Sequence, residues 1–480
     1  MRVLENLKPE RVFYYFEELC RIPHGSRNTK QISDYCVDFA KKLSLTYYQD
    51  SDNNVIIIKD ATPGYESADP VIIQGHLDMV CEKTADAAID MEKEGLQLEV
   101  NGDEVSAKNT TLGGDDGIAV AMAMALLEDT ELAHPRLEAV FTVDEEIGML
   151  GAVTIDVSML KGHTMLNIDS EDEGVLTVSC AGGDVAKCIL PVSYEPYNGK
   201  AVRLTINGLK GGHSGVEINK GRANGAVLMG RMLDELNRKM NIQILSLGSG
   251  LKDNAIPVGA EAVFVTEDTA KAQTVIDTYG KELQVEYTVT DPDMQMQGQM
   301  IEVENRKVMN QKDSDTVICM LTCLPNGIQK MSADIEGLVQ TSLNMGIVKT
   351  TDESLEISFC VRSSMASEKE MLNRRLELMM KQFGGRLEIS GDYPGWEYKQ
   401  DSRLRELMIE VFKEQYGHEP KIEAIHAGVE CGMFAGKIPG LDCVSFGPNL
   451  NQIHTVRETM SISSVARVYA FVVEILKRIK

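Results

Sequence analysis

The chain has 480 residues, 43% of them hydrophobic, and its 73 acidic against 48 basic side chains give a formal net charge of −25. That balance excludes nucleic acid and anionic membrane surfaces as main partners, because like charges repel. The apolar content excludes intrinsic disorder. At about 150 residues per domain the length predicts two to four domains. The most apolar stretch, Ile118 to Leu127, falls well short of the roughly 20 residues that a membrane span needs. The N-terminus, Met1-Arg2-Val3-Leu4-Glu5-Asn6, has no apolar signal region, so no export is expected. Ten scattered cysteines with no Cys-x-x-Cys pair read as reduced, mostly buried thiols of a cytoplasmic protein.

Leu7 to Leu19 and Gln31 to Leu43 are predicted helices. Val55 to Ile58 and Val71 to Ile73 are short β-branched runs bounded by polar or turn residues, the pattern of buried strands. Ile118 to Leu127 follows a Gly-Gly-Asp-Asp-Gly turn and is apolar on every face, which predicts a central, fully buried helix. Glu138 to Val143 and Thr164 to Ile168 are further predicted strands. Alternating strands and helices imply an α/β domain with a mixed, mainly parallel sheet flanked by helices.

Near residue 185 the texture changes. Ala201 to Ile206 alternates apolar and polar residues, the glycine-rich turn Gly211-Gly212-His213-Ser214-Gly215 follows, and Arg222 to Met240 has the pattern of an amphipathic helix. Strands are predicted at Gln284 to Thr290, Leu338 to Asn344 and Leu355 to Val361, and a helix at Ser367 to Gln382. These read as α+β units with sheets exposed on one face. After the punctuated segment Gly391 to Trp396, a helix at Ser402 to Tyr416 and a strand at Cys443 to Phe446 return to the first texture. The expected organisation is a catalytic α/β domain over 1–185 and 396–480, interrupted by an inserted α+β domain over 186–395.

Five positions offer metal-ligand chemistry. His76-Leu77-Asp78 follows a predicted strand; a neutral imidazole is a good ligand, and residues i and i+2 of an extended chain share a side, so Asp78 can fix the tautomer of His76. Asp115-Asp116 opens the apolar helix, where a helix cap is the plainer role. Glu145-Glu146 ends a strand, so one carboxylate can bind metal while the other moves protons; a solvated acidic turn is the bland reading. Asp169 ends another strand, inside an acidic run. His454 lies in a loop past the strand Cys443 to Phe446. His134, His163 and His418 read as loop residues without function.

Together the candidates weigh more than each alone. Four follow predicted strands of one α/β domain and the fifth sits in a strand-to-helix turn, and sites in open α/β sheets form beyond the carboxyl ends of strands. Two histidines and three carboxylates suffice for two metals with one carboxylate bridging. Nitrogen and oxygen donors without thiolate suit zinc, manganese or cobalt.

The segments Gly75-His76-Leu77-Asp78-Met79-Val80, Leu112 to Gly117, Thr142 to Glu146 and Gly211 to Gly215 resemble, in order, the motifs of the co-catalytic dinuclear zinc peptidases. That group contains aminoacylases, tripeptidase T and carnosine-type dipeptidases. Pro325 to Ser332, Thr341 to Gly346 and His426-Ala427-Gly428-Val429-Glu430-Cys431-Gly432 are similar to its aminoacyl-histidine (Xaa-His) dipeptidase branch. The likeness runs over essentially the whole chain. It implies two Zn2+ per subunit, with Co2+ or Mn2+ as substitutes. One zinc would be held by His76 and Asp169 and the other by Glu146 and His454, with Asp115 bridging.

The same likeness implies Glu145 as general base, Asp78 as partner of His76, and a cis bond between Asp115 and Asp116, where many relatives have Asp-Asn. The inserted segment corresponds to a lid domain. There His213 would reach the scissile carbonyl, Arg362 would bind the substrate carboxylate and Asn254 would touch substrate, although a turn Asn and a surface charge at a strand end are the plain readings of the last two. His426 and Glu430 receive no role, since a spacing of four also fits one helix face. The implied activity is metal-dependent hydrolysis of small peptides, Xaa-His (carnosine-like) dipeptides above all, by a cytoplasmic homodimer. An aminoacylase or broader aminopeptidase of the same family, a non-catalytic metal-binding protein and a dinuclear phosphoesterase are the alternatives. The last would want basic phosphate-binding residues, which the motifs lack.

Overall fold

In the computed structural model, which describes residues 2–480, the chain forms two compact units. The first runs to Cys180 and resumes over Tyr398–Ala424 and Val429–Lys480; the second comprises Ala181–Glu397 together with Ile425–Gly428.

The first unit is built on an eight-stranded mixed sheet. Its order is Thr46–Gln49, Val55–Lys59, Leu137–Thr142, Val71–His76, Thr164–Asn167, Asp442–Ser445, Val175–Cys180, Lys421–Ile425. The four central strands, Leu137–Thr142 through Asp442–Ser445, are parallel to one another, and antiparallel strands flank them. The aliphatic runs Val55 to Ile58 and Val71 to Ile73 are buried throughout, as strands covered on both faces must be. The helix Gly114–Glu128 is buried on all sides from Gly117 to Leu127. It packs on the strand Val71–His76 and is covered in turn by the helix Glu10–Cys20. The helix Arg403–Tyr416 packs on Asp442–Ser445, and the C-terminal helix Ile462–Arg478 packs on Arg403–Tyr416. A smaller four-stranded sheet joins Leu98–Asn101 and Glu104–Ala107 to Leu450–Asn451 and Thr459–Ser461, elements that the apolar periodicity does not announce.

The second unit is an antiparallel sheet in the order Gln295–Met309, Tyr194–Asn207, Ala260–Val265, Gln243–Ser249, Val339–Thr350, Ser354–Ser363, Gly182–Pro191, Arg386–Tyr393. Gly327–Met331 pairs onto Val339–Thr350 as a ninth strand. The helices Gly225–Lys239, Thr269–Glu286, Gln311–Cys323 and Ala366–Phe383 bury their apolar faces with the sheet in one core. Side-chain caps start three of them: Asn224, Asp268 and Asn310 each accept hydrogen bonds from first-turn amides.

One expected strand is absent. Gln284 to Thr290 alternates β-branched residues, yet Gln284 to Glu286 is the last turn of the helix Thr269–Glu286, and a turn follows. Ala272, Ile276 and Leu283 face the core from that helix, whereas Val285 and Val289 are 75% and 88% exposed. The alternation therefore marked no buried face. The first helix starts at Glu10 rather than Leu7, directly after Pro9, which is well suited to a helix start. Among the described residues no helix is long and apolar enough to cross a membrane. All ten cysteines are free thiols; Cys81, Cys319 and Cys323 are exposed and the rest buried.

Candidate active site

Each of the four central parallel strands delivers site residues just past its carboxyl end. His76 closes Val71–His76, Glu145 and Glu146 follow Leu137–Thr142, Asp169 follows Thr164–Asn167, and His454 comes after Asp442–Ser445, in the loop between the short strands Leu450–Asn451 and Thr459–Ser461. Gly75 lacks a side chain for a steric reason: a Cβ there would lie 2.5 Å from Asp116 Oδ2.

Asp115 stands at the centre. Its Oδ1 is 3.1 Å from His76 Nε2 and its Oδ2 is 3.1 Å from His454 Nε2. Asp169 Oδ1 lies 3.6 Å from His76 Nε2, and Glu146 Oε2 lies 3.1 Å from His454 Nε2. The five side chains thus form two clusters that share one carboxylate. Asp115 and Asp116 depart from helical geometry within the first turn of Gly114–Glu128, and the bond between them is cis. The helix cap is Gly113, so neither aspartate is the cap. His454 has φ +61°, a left-handed conformation uncommon for a residue with a side chain and typical of ligand-placing loops.

His76 Nδ1 donates to the backbone carbonyl of Asp78 at 2.9 Å, while the Asp78 carboxylate is farther away, at 3.6 Å. The carbonyl therefore sets the tautomer that leaves the Nε2 lone pair facing Asp115 and Asp169. The Asp78 carboxylate, 3.6 Å from the same nitrogen, adds to this contact and helps to raise His76. That carboxylate is also held elsewhere: Oδ2 accepts from the Ser26 hydroxyl at 2.8 Å and Oδ1 from the Glu145 amide at 3.0 Å. It connects the His76 segment to the backbone of Glu145.

The electrostatics are those of a cation site. Hydrogen bonds to Asp115 and then Glu146 raise the His454 imidazole to about 10. Burial alone would lower His76, but its contacts with Asp115, Asp169 and Asp78 hold it well above the usual range. Burial pushes the Glu145 carboxyl up to about 9, with His76 opposing and Asp169, Glu430 and Glu146 adding like-charge repulsion. Among the described residues no lysine or arginine forms an ion pair with Asp115, Glu146 or Asp169; their charged partners are His76 and His454 alone.

Glu146 Oε1 is buried with no hydrogen-bond partner, an oxygen that a cation would satisfy. Two groupings, His76–Asp115–Glu146 and His76–Asp116–Asp169, keep their ligand atoms within 4.8 Å of one another. We favour Asp169 over Asp116 as the ligand partner of His76. Burial raises both carboxyls, but Asp116 Oδ2 already accepts the His76 backbone N–H at 3.2 Å, whereas Asp169 Oδ1 faces His76 Nε2 at 3.6 Å. Two imidazole nitrogens and three carboxylates fit two divalent transition ions.

Beneath this cluster lies a polar network that the sequence does not disclose. Glu430, the first residue of the helix Glu430–Lys437, is fully buried, and its Oε2 accepts from Gln74 Nε2 at 2.5 Å and Thr142 Oγ1 at 2.7 Å. His426 precedes that helix and belongs to the second unit, so the two do not share a helix face.

The second unit holds its own polar cluster. His213 Nδ1 accepts the backbone amides of Gly215 and Val216, both at 3.2 Å. Two donors on Nδ1 favour the ring proton on Nε2, and Arg362 Nη2 approaches that nitrogen at 3.5 Å. Burial and then the nearby Arg362 lower the His213 pKa, so the ring is neutral with one N–H to offer. Arg362 is 5% exposed, not the surface charge that its strand-end position allows. It donates to the Tyr393 hydroxyl at 3.0 Å, its Nε has no hydrogen-bond partner, and no carboxylate forms an ion pair with it among the described residues. His426 Nε2 lies 2.7 Å from Ser342 Oγ, and burial lowers this imidazole to about 3. The Asn254 carbonyl accepts the Ser214 amide at 2.9 Å, which ties its loop to the His213 turn.

Residues 72–478 match the sequence pattern described as peptidase family M20/M25/M40. The chain belongs to this family. It is 35% identical over 483 residues to the cytosol non-specific dipeptidase of Escherichia coli (strain K12), an alignment that covers 100% of this chain and 99% of the relative. The crystal structure of aminoacylhistidine dipeptidase from Vibrio alginolyticus superposes with a TM-score of 0.93 at 33% identity, covering 99% and 98% of the two chains. An aminopeptidase PepT of Bacillus cereus ATCC 10987 shares the fold of this M20 peptidase at 16% identity and a TM-score of 0.55, with 98% and 99% of the chains covered.

Proposed function

We propose that this M20 peptidase is a dinuclear zinc dipeptidase that hydrolyses Xaa-His and related dipeptides. The observation that carries the metal chemistry is Asp115, whose two carboxylate oxygens face two different imidazole Nε2 atoms at 3.1 Å each. His76 and Asp169 would hold one ion, Glu146 and His454 the other, and Asp115 both. Such ions supply Lewis-acid polarisation of the scissile carbonyl and bring the deprotonation of water into the neutral range, to a pKa of about 7.

The chain's own residues do the rest. Glu145 takes the proton of the attacking water and delivers it to the leaving amine. Asp78, through the Glu145 amide, fixes the backbone from which that carboxylate projects. The neutral His213 offers its Nε2–H to the carbonyl oxygen as negative charge develops there. Arg362 pairs with the free C-terminal carboxylate, and Asn254 belongs to the same substrate-binding region. A buried guanidinium with no carboxylate partner supports this assignment, because burying an uncompensated charge is costly unless a ligand supplies the counter-charge. We read the second unit as an inserted lid with boundaries near 185 and 395, and the protein as a cytoplasmic homodimer. The names of two relatives described above, each a dipeptidase matched over nearly its full length, support the substrate class.

A panel of carnosine, other Xaa-His dipeptides, tripeptides and N-acetyl amino acids tests the reading. Dipeptides should be cleaved, activity should vanish on chelation, and zinc should restore it. Preferred cleavage of the acetylated compounds would move the assignment to an aminoacylase. No metal-dependent hydrolysis of any of them would leave a metal-binding protein.

Arg362→Met should lower kcat/KM on a dipeptide by about 30- to 150-fold, the equivalent of about 2–3 kcal/mol for a charge-assisted pair. The wild type should lose a similar factor on the C-terminally amidated dipeptide, whereas the variant should no longer distinguish acid from amide. A variant that still prefers the free acid would remove Arg362 from carboxylate binding.

A further inference from the structure

Glu458 has no part in the ligand set, yet it is hydrogen-bonded to the segment that carries Asp115. Its side chain is buried, and its two oxygens accept three consecutive backbone amides: Leu112 N–H at 2.8 Å and Gly113 N–H at 3.2 Å on Oε2, and Gly114 N–H at 2.8 Å on Oε1. These are the amides immediately before Asp115, at the N-terminal end of the buried helix Gly114–Glu128, where unpaired N–H groups and the helix dipole favour a carboxylate. The helix has no side-chain cap, and its cap residue, Gly113, has φ +69°. A Cβ on Gly113 would meet Met79 Sδ at 2.8 Å, and one on Gly114 would stand 3.3 Å from Glu458 Oε1.

The position of Glu458 in the chain gives the contact its meaning. It lies four residues after His454, and its amide closes a turn onto the Thr455 carbonyl at 3.1 Å. One short loop therefore sends His454 to Asp115 Oδ2 and Glu458 to the backbone beneath the same aspartate. The distance between the shared carboxylate and one of its imidazoles is thus set from both ends by a single piece of chain.

We propose that Glu458 is a positioning residue that preforms the bridging geometry of Asp115 before any metal arrives. The inference rests on the dinuclear reading of the site. Gln cannot replace it, because a carboxamide has one acceptor oxygen and would turn an NH2 group towards at least one of the three amides. Residues that orient a ligand without touching the metal typically contribute about 10- to 100-fold in metal affinity.

The test uses the full-length protein, stripped by chelation and titrated with Mn2+. Wild type should bind two ions, with an electron paramagnetic resonance spectrum showing exchange coupling through the shared carboxylate. Glu458→Gln should bind its second ion about 10- to 100-fold more weakly, show uncoupled Mn2+, and lose kcat with little change in KM. Glu458→Asp, which keeps the charge but is one methylene shorter, should fall between. A general loss of stability would weaken both ions alike and would not selectively abolish coupling.

Hydrogen exchange of the metal-free wild type checks the clamp without any variant: the amides of residues 112–114 should be protected. Fast exchange there, or a Glu458→Gln protein that keeps two tightly bound, coupled ions, overturns the inference while leaving the dinuclear site intact. A wild type that never binds a coupled pair overturns both.

Discussion

Replacing Glu145 by glutamine is expected to leave the protein folded and metal-loaded while slowing turnover by about 10^2- to 10^4-fold, the usual contribution of a positioned general base. The substitution is nearly isosteric and keeps the Glu145 amide that Asp78 holds at 3.0 Å, so the turn after Leu137–Thr142 should survive. The variant loses the carboxylate that accepts a proton; burial raises that carboxyl, and two cations held beside it would bring it back down into the range of a base. Steady-state kinetics on a dipeptide, with metal content measured on the same sample, check the prediction. KM should change little, because the proposed carboxylate contact is made by Arg362. Normal turnover by a metal-loaded Glu145→Gln protein would take the general-base role away from this residue.

Asp115→Ala is expected to act one step earlier, on the metals themselves. The aspartate supplies one oxygen towards each imidazole, so its loss strips a ligand from both positions at once. What remains is His76 with Asp169 and His454 with Glu146, two incomplete sites with nothing to link them. Affinity should fall by more than about 100-fold, the upper range for residues that only orient a ligand. Dialysed protein should then contain well under one ion per chain, and activity should not return at ordinary zinc concentrations. Elemental analysis and calorimetric titration provide the measurement. Retention of two tightly bound ions would mean that Asp115 does not bridge them. Folding should tolerate the change better than most buried substitutions, because the cluster concentrates carboxylates without a lysine or arginine partner among the described residues.

Part of this architecture is legible in the residues alone. The β-branched runs Val55 to Ile58 and Val71 to Ile73 signal buried strands because a strand covered on both faces has no polar side to show. The helix around Ile118 to Leu127 is legible because no polar stripe interrupts it, and it is indeed enclosed on every side. Gln284 to Thr290 misleads for the opposite reason. Its alternation satisfies the strand rule, but burial is decided more than four turns upstream, where Asp268 starts a helix that carries Ala272, Ile276 and Leu283 into the core. The hairpin Leu98–Asn101 with Glu104–Ala107 was silent because its first strand is largely exposed and lacks an apolar face.

The candidate site divides in the same way. By itself the sequence determined which groups are available and where each sits: two imidazoles and two carboxylates after strand ends, a third carboxylate in a strand-to-helix turn, and the acid beside one of them. Local patterning suffices for that, because a parallel sheet aligns the carboxyl ends of its strands. Only the tertiary structure decided how those groups are used. It turned the two oxygens of Asp115 towards different histidines, and it set the Asp78 carbonyl 2.9 Å from His76 Nδ1 with the Asp78 carboxylate 3.6 Å away. It favoured one His213 tautomer through two backbone amides, left the buried Arg362 without an anion, and set Glu458 under a turn 344 residues earlier in the chain. The physical reason is range. Periodicity reports which side of an element is buried, whereas the direction of a hydrogen bond is set by atoms that only the folded chain brings within about 3 Å.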